Sequence, residues 1–88
     1  MKISSKFVLR QVVNTWVVLP LADDTVNFNG MITLNESGVL LWQTLERGAD
    51  RDELVRVLTS EYNVSAETAA ADVDVFLSSL TAVGCIEQ

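Results

Sequence analysis

The sequence predicts an α+β domain in which three strands come first and three helices follow, with the two kinds of element segregated. Two changes of texture carry that reading. Branched and aromatic residues crowd the runs Phe7 to Leu21 and Met31 to Leu34, the signature of strands. From Asn35 onward the apolar residues recur instead at three- and four-residue intervals, the period of helices. Size settles the rest: 88 residues, 49% hydrophobic, are too apolar for a disordered chain and too few for two cores, so residues 1–88 are expected to form one domain.

Taken in order, FVLRQVV (Phe7 to Val13) and WVVLPL (Trp16 to Leu21) are the first two strands, expected to form a hairpin around Asn14-Thr15, because Asn tolerates the positive φ of a tight turn. Pro20 lacks an amide donor, so the second strand ends near it or turns it to a free edge. Ala22 to Asn29 is a connection, although Val26 and Phe28 alternate with Asn27 and Asn29 and suggest an early start to the third strand. Gly30 leads into Met31-Ile32-Thr33-Leu34, where Ile32 and Leu34 share one face and Met31 and Thr33 the other.

Asn35 is the expected cap of the first helix, with Glu36 in its first turn suiting the dipole. Val39, Leu40, Trp42 (or Leu41) and Leu45 supply its stripe, and Gly48 fits the position just past its end. Asp50 caps the second helix with Glu53 at N3, followed by Leu54, Val55, Leu58 and Tyr62, and Asn63 closes it. The third runs from a Ser65 cap to about Val83, before Gly84. Ala69, Val73, Phe76, Leu77, Leu80 and Val83 lie on its main apolar face. A second strip, Thr68, Asp72, Val75, Ser79 and Ala82, runs beside it.

Composition excludes several classes of function. There is no histidine to activate the Ser, Thr or Cys85 nucleophiles, so no catalytic residue is assigned and the chain is not read as an enzyme. Asp72 and Asp74, two positions apart on a helix, point to different sides, and Asp50, Asp52 and Glu53 read as first-turn charges. One cysteine and no histidine make no zinc site, the aspartates lack calcium-loop spacing, and no glycine-rich phosphate loop occurs, so neither a metal nor a cofactor is expected. Cys85 reads as a small core residue beside Ile86.

A short sheet joined to three helices invites comparison with winged-helix DNA readers. Yet the net charge is −6, and the chain after Arg56 contains no Lys or Arg while carrying Glu61, Glu67, Asp72, Asp74 and Glu87. Phosphates would repel such a helix, so nucleic acid is excluded as partner. Arg10, Gln11, Asn14 and Thr15 break any signal-peptide core behind Lys2 and Lys6, and the run from Trp16 to Ala22 is too short to span a bilayer. No membrane association is expected, and the location read is cytoplasmic.

A protein partner remains. The strand around Met31 to Thr33 is short, unprotected by lysine or proline, and placed near a sheet edge, where free N–H and C=O groups accept an extended peptide. The second strip of the last helix mixes Val75 and Ala82 with Asp72 and Ser79. It is either a groove wall or a surface packed on the helix pair.

At Leu34-Asn35-Glu36-Ser37-Gly38-Val39-Leu40-Leu41-Trp42 the sequence resembles the PqqD-like family, whose members carry LNE[T/S]G…W between the last strand and first helix. FVLR, WVVLPL, DELVRVL…EY (Asp52 to Tyr62) and the ending Asp72-Val73, Phe76-Leu77, Leu80, Gly84 are similar to the family pattern in the same order. The resemblance implies a three-stranded antiparallel sheet followed by a three-helix bundle, winged-helix-like. It also implies a RiPP recognition element, a chaperone that binds the leader of a ribosomally made precursor peptide. Such a chaperone presents the leader to a modifying enzyme, often of the radical-SAM type, or to a leader peptidase. Pathways to pyrroloquinoline quinone, lasso peptides and sactipeptide-like products are all covered.

Carried over by position, the resemblance implies that the backbone of Met31, Ile32 and Thr33 pairs with the leader. It makes Asp72, Val75, Phe76 and Ser79 the opposing wall, and LNESGVLLW a structural segment. The chain's acidity favours a leader with some basic residues. A homodimer stays open as a further association. The alternative reading is a general interaction or scaffold module of the same fold, without a precursor peptide.

Overall fold

The computed structural model describes residues 1–21 and 32–87. Its elements in chain order are β1 (Lys2–Ile3), β2 (Phe7–Val12), β3 (Thr15–Pro20), β4 (Ile32–Leu34), α1 (Glu36–Glu46), α2 (Arg51–Glu61), α3 (Ala66–Ala82) and β5 (Ile86–Glu87). The strands β2, β3 and β4 form an antiparallel sheet in that order, followed by the three helices. The expected α+β architecture is therefore the observed one. A small addition is the antiparallel ribbon of β1 with β5, which ties the described ends of the chain together. Two-residue strands carry no readable alternation, so nothing in the sequence signalled them.

The hairpin turns one residue earlier than expected. Val12 pairs with Thr15, leaving Val13-Asn14 as the loop, and it is Val13, not Asn14, that adopts positive φ (58°). This register sets Leu9 opposite Val18 and Phe7 opposite Pro20, which brings Phe7, Leu9 and Val18 into one apolar cluster. Burial on that face decides the register over turn preference.

Each helix begins on its expected cap. The side chains of Asn35, Asp50 and Ser65 accept from the backbone N–H of Gly38, Glu53 and Thr68. Gly48 follows α1 at φ +88°, a left-handed conformation that strains other residues.

The core has two lobes. Leu41, Leu45, Ala49, Leu54, Leu58, Ala69 and Val73 fill the space among the helices, while Phe7, Val18, Trp42, Leu80 and Cys85 fill that between sheet and helices. Phe76 packs against both lobes and so locks the middle of α3 in place. An exposed fork from Arg51 to Asp74 (2.7 and 3.0 Å) ties the start of α2 to the outer side of α3.

Candidate functional site

Among the described residues β4 has a neighbour on one side only, β3. Which of its amides face outward follows from the hairpin. In an antiparallel ladder residues alternate between pairs that exchange hydrogen bonds and pairs that do not. The two-residue loop makes Val12 and Thr15 an exchanging pair, and the Leu21 N–H bond to the Lys6 carbonyl (2.8 Å) confirms the phase at the far end. Thr15, Val17 and Leu19 thus turn their polar backbone to β2, and Trp16 and Val18 turn theirs to β4.

Trp16 faces Leu34, Val17 faces Thr33 and Val18 faces Ile32. Ile32 and Leu34 accordingly spend their N–H and C=O groups on β3, whereas Thr33 points its own away from β3, to the side where no described strand lies. The same alternation directs the side chains: Ile32 and Leu34 pack on the core and Thr33 is exposed. Met31 lies outside the described residues, as do the connection from Ala22 and the alternation at Val26 to Asn29.

Directly after β4 the chain turns into α1. Asn35 Oδ1 accepts from the Gly38 amide (2.9 Å) and from Ser37 Oγ (3.0 Å). A Cβ on Gly38 would stand 3.3 Å from both Asn35 Oδ1 and Leu34 Cβ, tighter than ordinary packing. Glycine here lets the first turn of α1 sit close against the end of β4.

Across from this turn stands α3. A groove of about 280 Å³ separates them, with Asn35, Ser37, Gly38 and Leu41 on one side and Asp72, Val75 and Phe76 on the other. It adjoins a depression of about 390 Å³ that shares Asn35, Ser37 and Asp72 and is floored by Leu58, Tyr62 and Val64, with Glu36 at its rim. The two form one trough past the end of β4.

The second strip of α3 is solvent-facing. Thr68, Asp72, Val75, Ser79 and Ala82 are all exposed, and Val75, at 68%, is the most exposed large apolar residue of the three helices. Packing on the helix pair, the alternative left open by the sequence, is thereby set aside. The structure gathers Asp72, Val75 and Phe76 in one groove, while exposed Ser79 lines neither depression. The lining by Asn35, Ser37, Gly38, Tyr62 and Val64 was missed. Their signals, a cap and a helix end, read equally well as structure alone.

Two acids of α3 differ in their surroundings. The Arg51 guanidinium, by hydrogen bonds and charge, holds Asp74 below the usual carboxylate range. The Asp72 carboxylate has no ion pair or hydrogen bond among the described residues. Cys85 is fully buried, and desolvation pushes its thiol up to about 11, the behaviour of a core residue rather than a nucleophile. Among the described residues no acidic or cysteine cluster forms a metal site, and no helix is long and apolar enough to cross a membrane.

Among the described residues, then, the fold is a small α+β domain in which β4 has one strand neighbour and a helix-walled, partly apolar trough lies past its end. The family model for coenzyme PQQ synthesis protein D (PqqD) matches residues 15–86, and the chain belongs to that family. Among solved structures it is similar to TbiB1 in complex with the TbiA(beta) leader peptide, at 29% identity and a TM-score of 0.78, over 99% of this chain and 95% of that one. It shares its fold with lasso peptide synthetase B1 complexed with the leader peptide, at 23% identity and a TM-score of 0.76, over 99% and 96% of the two chains. No curated protein matches the chain.

Proposed function

We propose that this protein binds the leader segment of a ribosomally made precursor peptide by strand addition to β4, without chemistry of its own. It presents the captured precursor to a modifying enzyme of the radical-SAM type or to a leader peptidase. The observation that carries this reading is the outward-turned backbone of Thr33, set beside a trough whose far wall exposes Val75. The leader exchanges main-chain hydrogen bonds with Thr33, continues the strand past Ile32 in register, and lays its side chains against Asp72, Val75 and Phe76, with Ser79 further along the same helix. Membership of the PqqD family and the leader peptide bound to TbiB1 support it.

The test is calorimetric titration of the synthetic leader encoded beside this chain's gene against wild type and Thr33→Pro. Proline removes an amide that β3 does not use and places its ring in the incoming strand's path. Binding should fall about tenfold or more, the scale of one or two lost backbone hydrogen bonds, with an unchanged circular dichroism spectrum. Equal affinity in a folded variant would exclude this edge.

A further inference from the structure

Beyond the edge itself, the trough has a chemistry that selects what enters it. Its larger half is floored by Leu58, Tyr62 and Val64 and rimmed by two carboxylates, Asp72 and Glu36. Neither rim carboxylate has a cationic partner among the described residues, for the one ion pair there, Arg51 with Asp74, lies elsewhere on α3. No Lys or Arg follows Arg56 in the whole sequence, so α3 brings no neutralising charge of its own. The start of α1 contributes roughly half a positive charge through its dipole. Against two carboxylates that leaves the rim negative.

Resting on the leader-binding reading above, we propose that this depression is a side-chain pocket for a lysine or arginine of the bound peptide. The aliphatic stem lies on Leu58, Tyr62 and Val64, and the cationic head meets Asp72 and Glu36. A long side chain with an apolar stem and a charged tip matches an apolar floor under an acidic rim. The volume of about 390 Å³ holds such a side chain with room for hydrating water at the mouth. Because the depression shares Asn35 and Ser37 with the groove beside β4, the basic residue follows closely on the strand-forming part of the peptide. The pocket thus sets register as well as selectivity: a leader slipped by one residue presents its opposite face to the trough.

The experiment is selection of displayed random dodecapeptides on the wild-type protein. Single enriched peptides are then synthesised and titrated against wild type, Thr33→Pro, Asp72→Asn and Glu46→Gln, the last changing an exposed acid of α1 outside the trough to control for net charge. Expected are enriched peptides with a Lys or Arg at a constant offset from an extended apolar stretch. Affinity should fall about five- to twentyfold with Asp72→Asn, and by as much when the peptide's own Lys or Arg is replaced by norleucine, but less than twofold with Glu46→Gln. The two losses should not add when combined. Peptides that bind through Thr33 without a fixed basic residue, or equal losses in Asp72→Asn and Glu46→Gln, would overturn the pocket while leaving strand addition standing. A selection yielding no peptide sensitive to Thr33→Pro would overturn both.

Discussion

Replacing Val75 by serine separates a binding wall from a packing surface. Full burial of a valine side chain is worth about 1.5–3 kcal/mol. In the free protein Val75 is still 68% exposed, so some two-thirds of that gain is left for a partner to realise. The substitution should therefore cost leader binding about 1–2 kcal/mol, which is about 5- to 30-fold in Kd. Stability should stay within about 0.5 kcal/mol, since valine and serine have similar helix propensities and the site is exposed. Val73, two residues earlier on the same helix and fully buried, supplies the contrast. Val73→Ala should lose roughly 2–3 kcal/mol of stability through lost apolar burial and the cavity left behind, with little effect on affinity in the fraction that stays folded. Calorimetric titration and thermal melts on both variants read the two quantities side by side. A Val75→Ser protein that melts like Val73→Ala, or that binds leader like wild type, would refute the assignment of this strip to the wall.

Trp42 is fully buried and its indole Nε1 has no hydrogen-bond partner among the described residues, so Trp42→Ala should lose about 3–5 kcal/mol, whereas Trp42→Phe should lose distinctly less by removing the unsatisfied donor; equal losses in denaturant unfolding would contradict this. The raised pKa of Cys85 means the folded state holds its proton while the unfolded chain, near 9, gives it up. Stability is then untouched below the unfolded value and falls as pH rises from about 9 to about 11, by about 2–3 kcal/mol in all. The stability gap between wild type and Cys85→Ala should shift by that amount across this window, and a constant gap would disprove it. Val13→Gly relieves a β-branched residue at φ 58° in the hairpin loop and should raise Tm by a few degrees, the net of about 1–2 kcal/mol of strain against the entropy cost of glycine; an unchanged or lower Tm would speak against strain at Val13.

Much of the fold was legible because its signals are local and reinforce one another. Asn35, Asp50 and Ser65 each offer a capping oxygen immediately before an apolar period, and each caps the helix it announces. Trp42 and Leu45 follow from the same period and are wholly buried. The hairpin loop was displaced because a turn propensity at Asn14 competes with burial on the sheet, and burial outweighs it. The site was legible only in outline. Helical spacing separates Val75 from Val73, but no local pattern reveals that the capped turn at Asn35 to Gly38 stands across from Asp72. Nor does it reveal that Tyr62 and Val64 floor the same trough. Those juxtapositions come from how α2 returns the chain toward α1, which is a property of packing.

Under the proposed function, the division of labour between edge and wall follows from what the described part of β4 offers a guest. A strand of three described residues, of which one turns its amide and carbonyl outward, offers a guest about two hydrogen bonds, together worth about 1–3 kcal/mol net. Micromolar binding requires about 8 kcal/mol after the cost of immobilising the peptide. On that reading the described ladder aligns the leader, and the side chains the leader lays into the trough supply most of the affinity. Main-chain bonds are the same for every sequence, so they add affinity without choosing among guests. On the proposed reading, discrimination therefore falls to Asp72, Val75 and Phe76, where the identity of the guest's side chains decides the outcome.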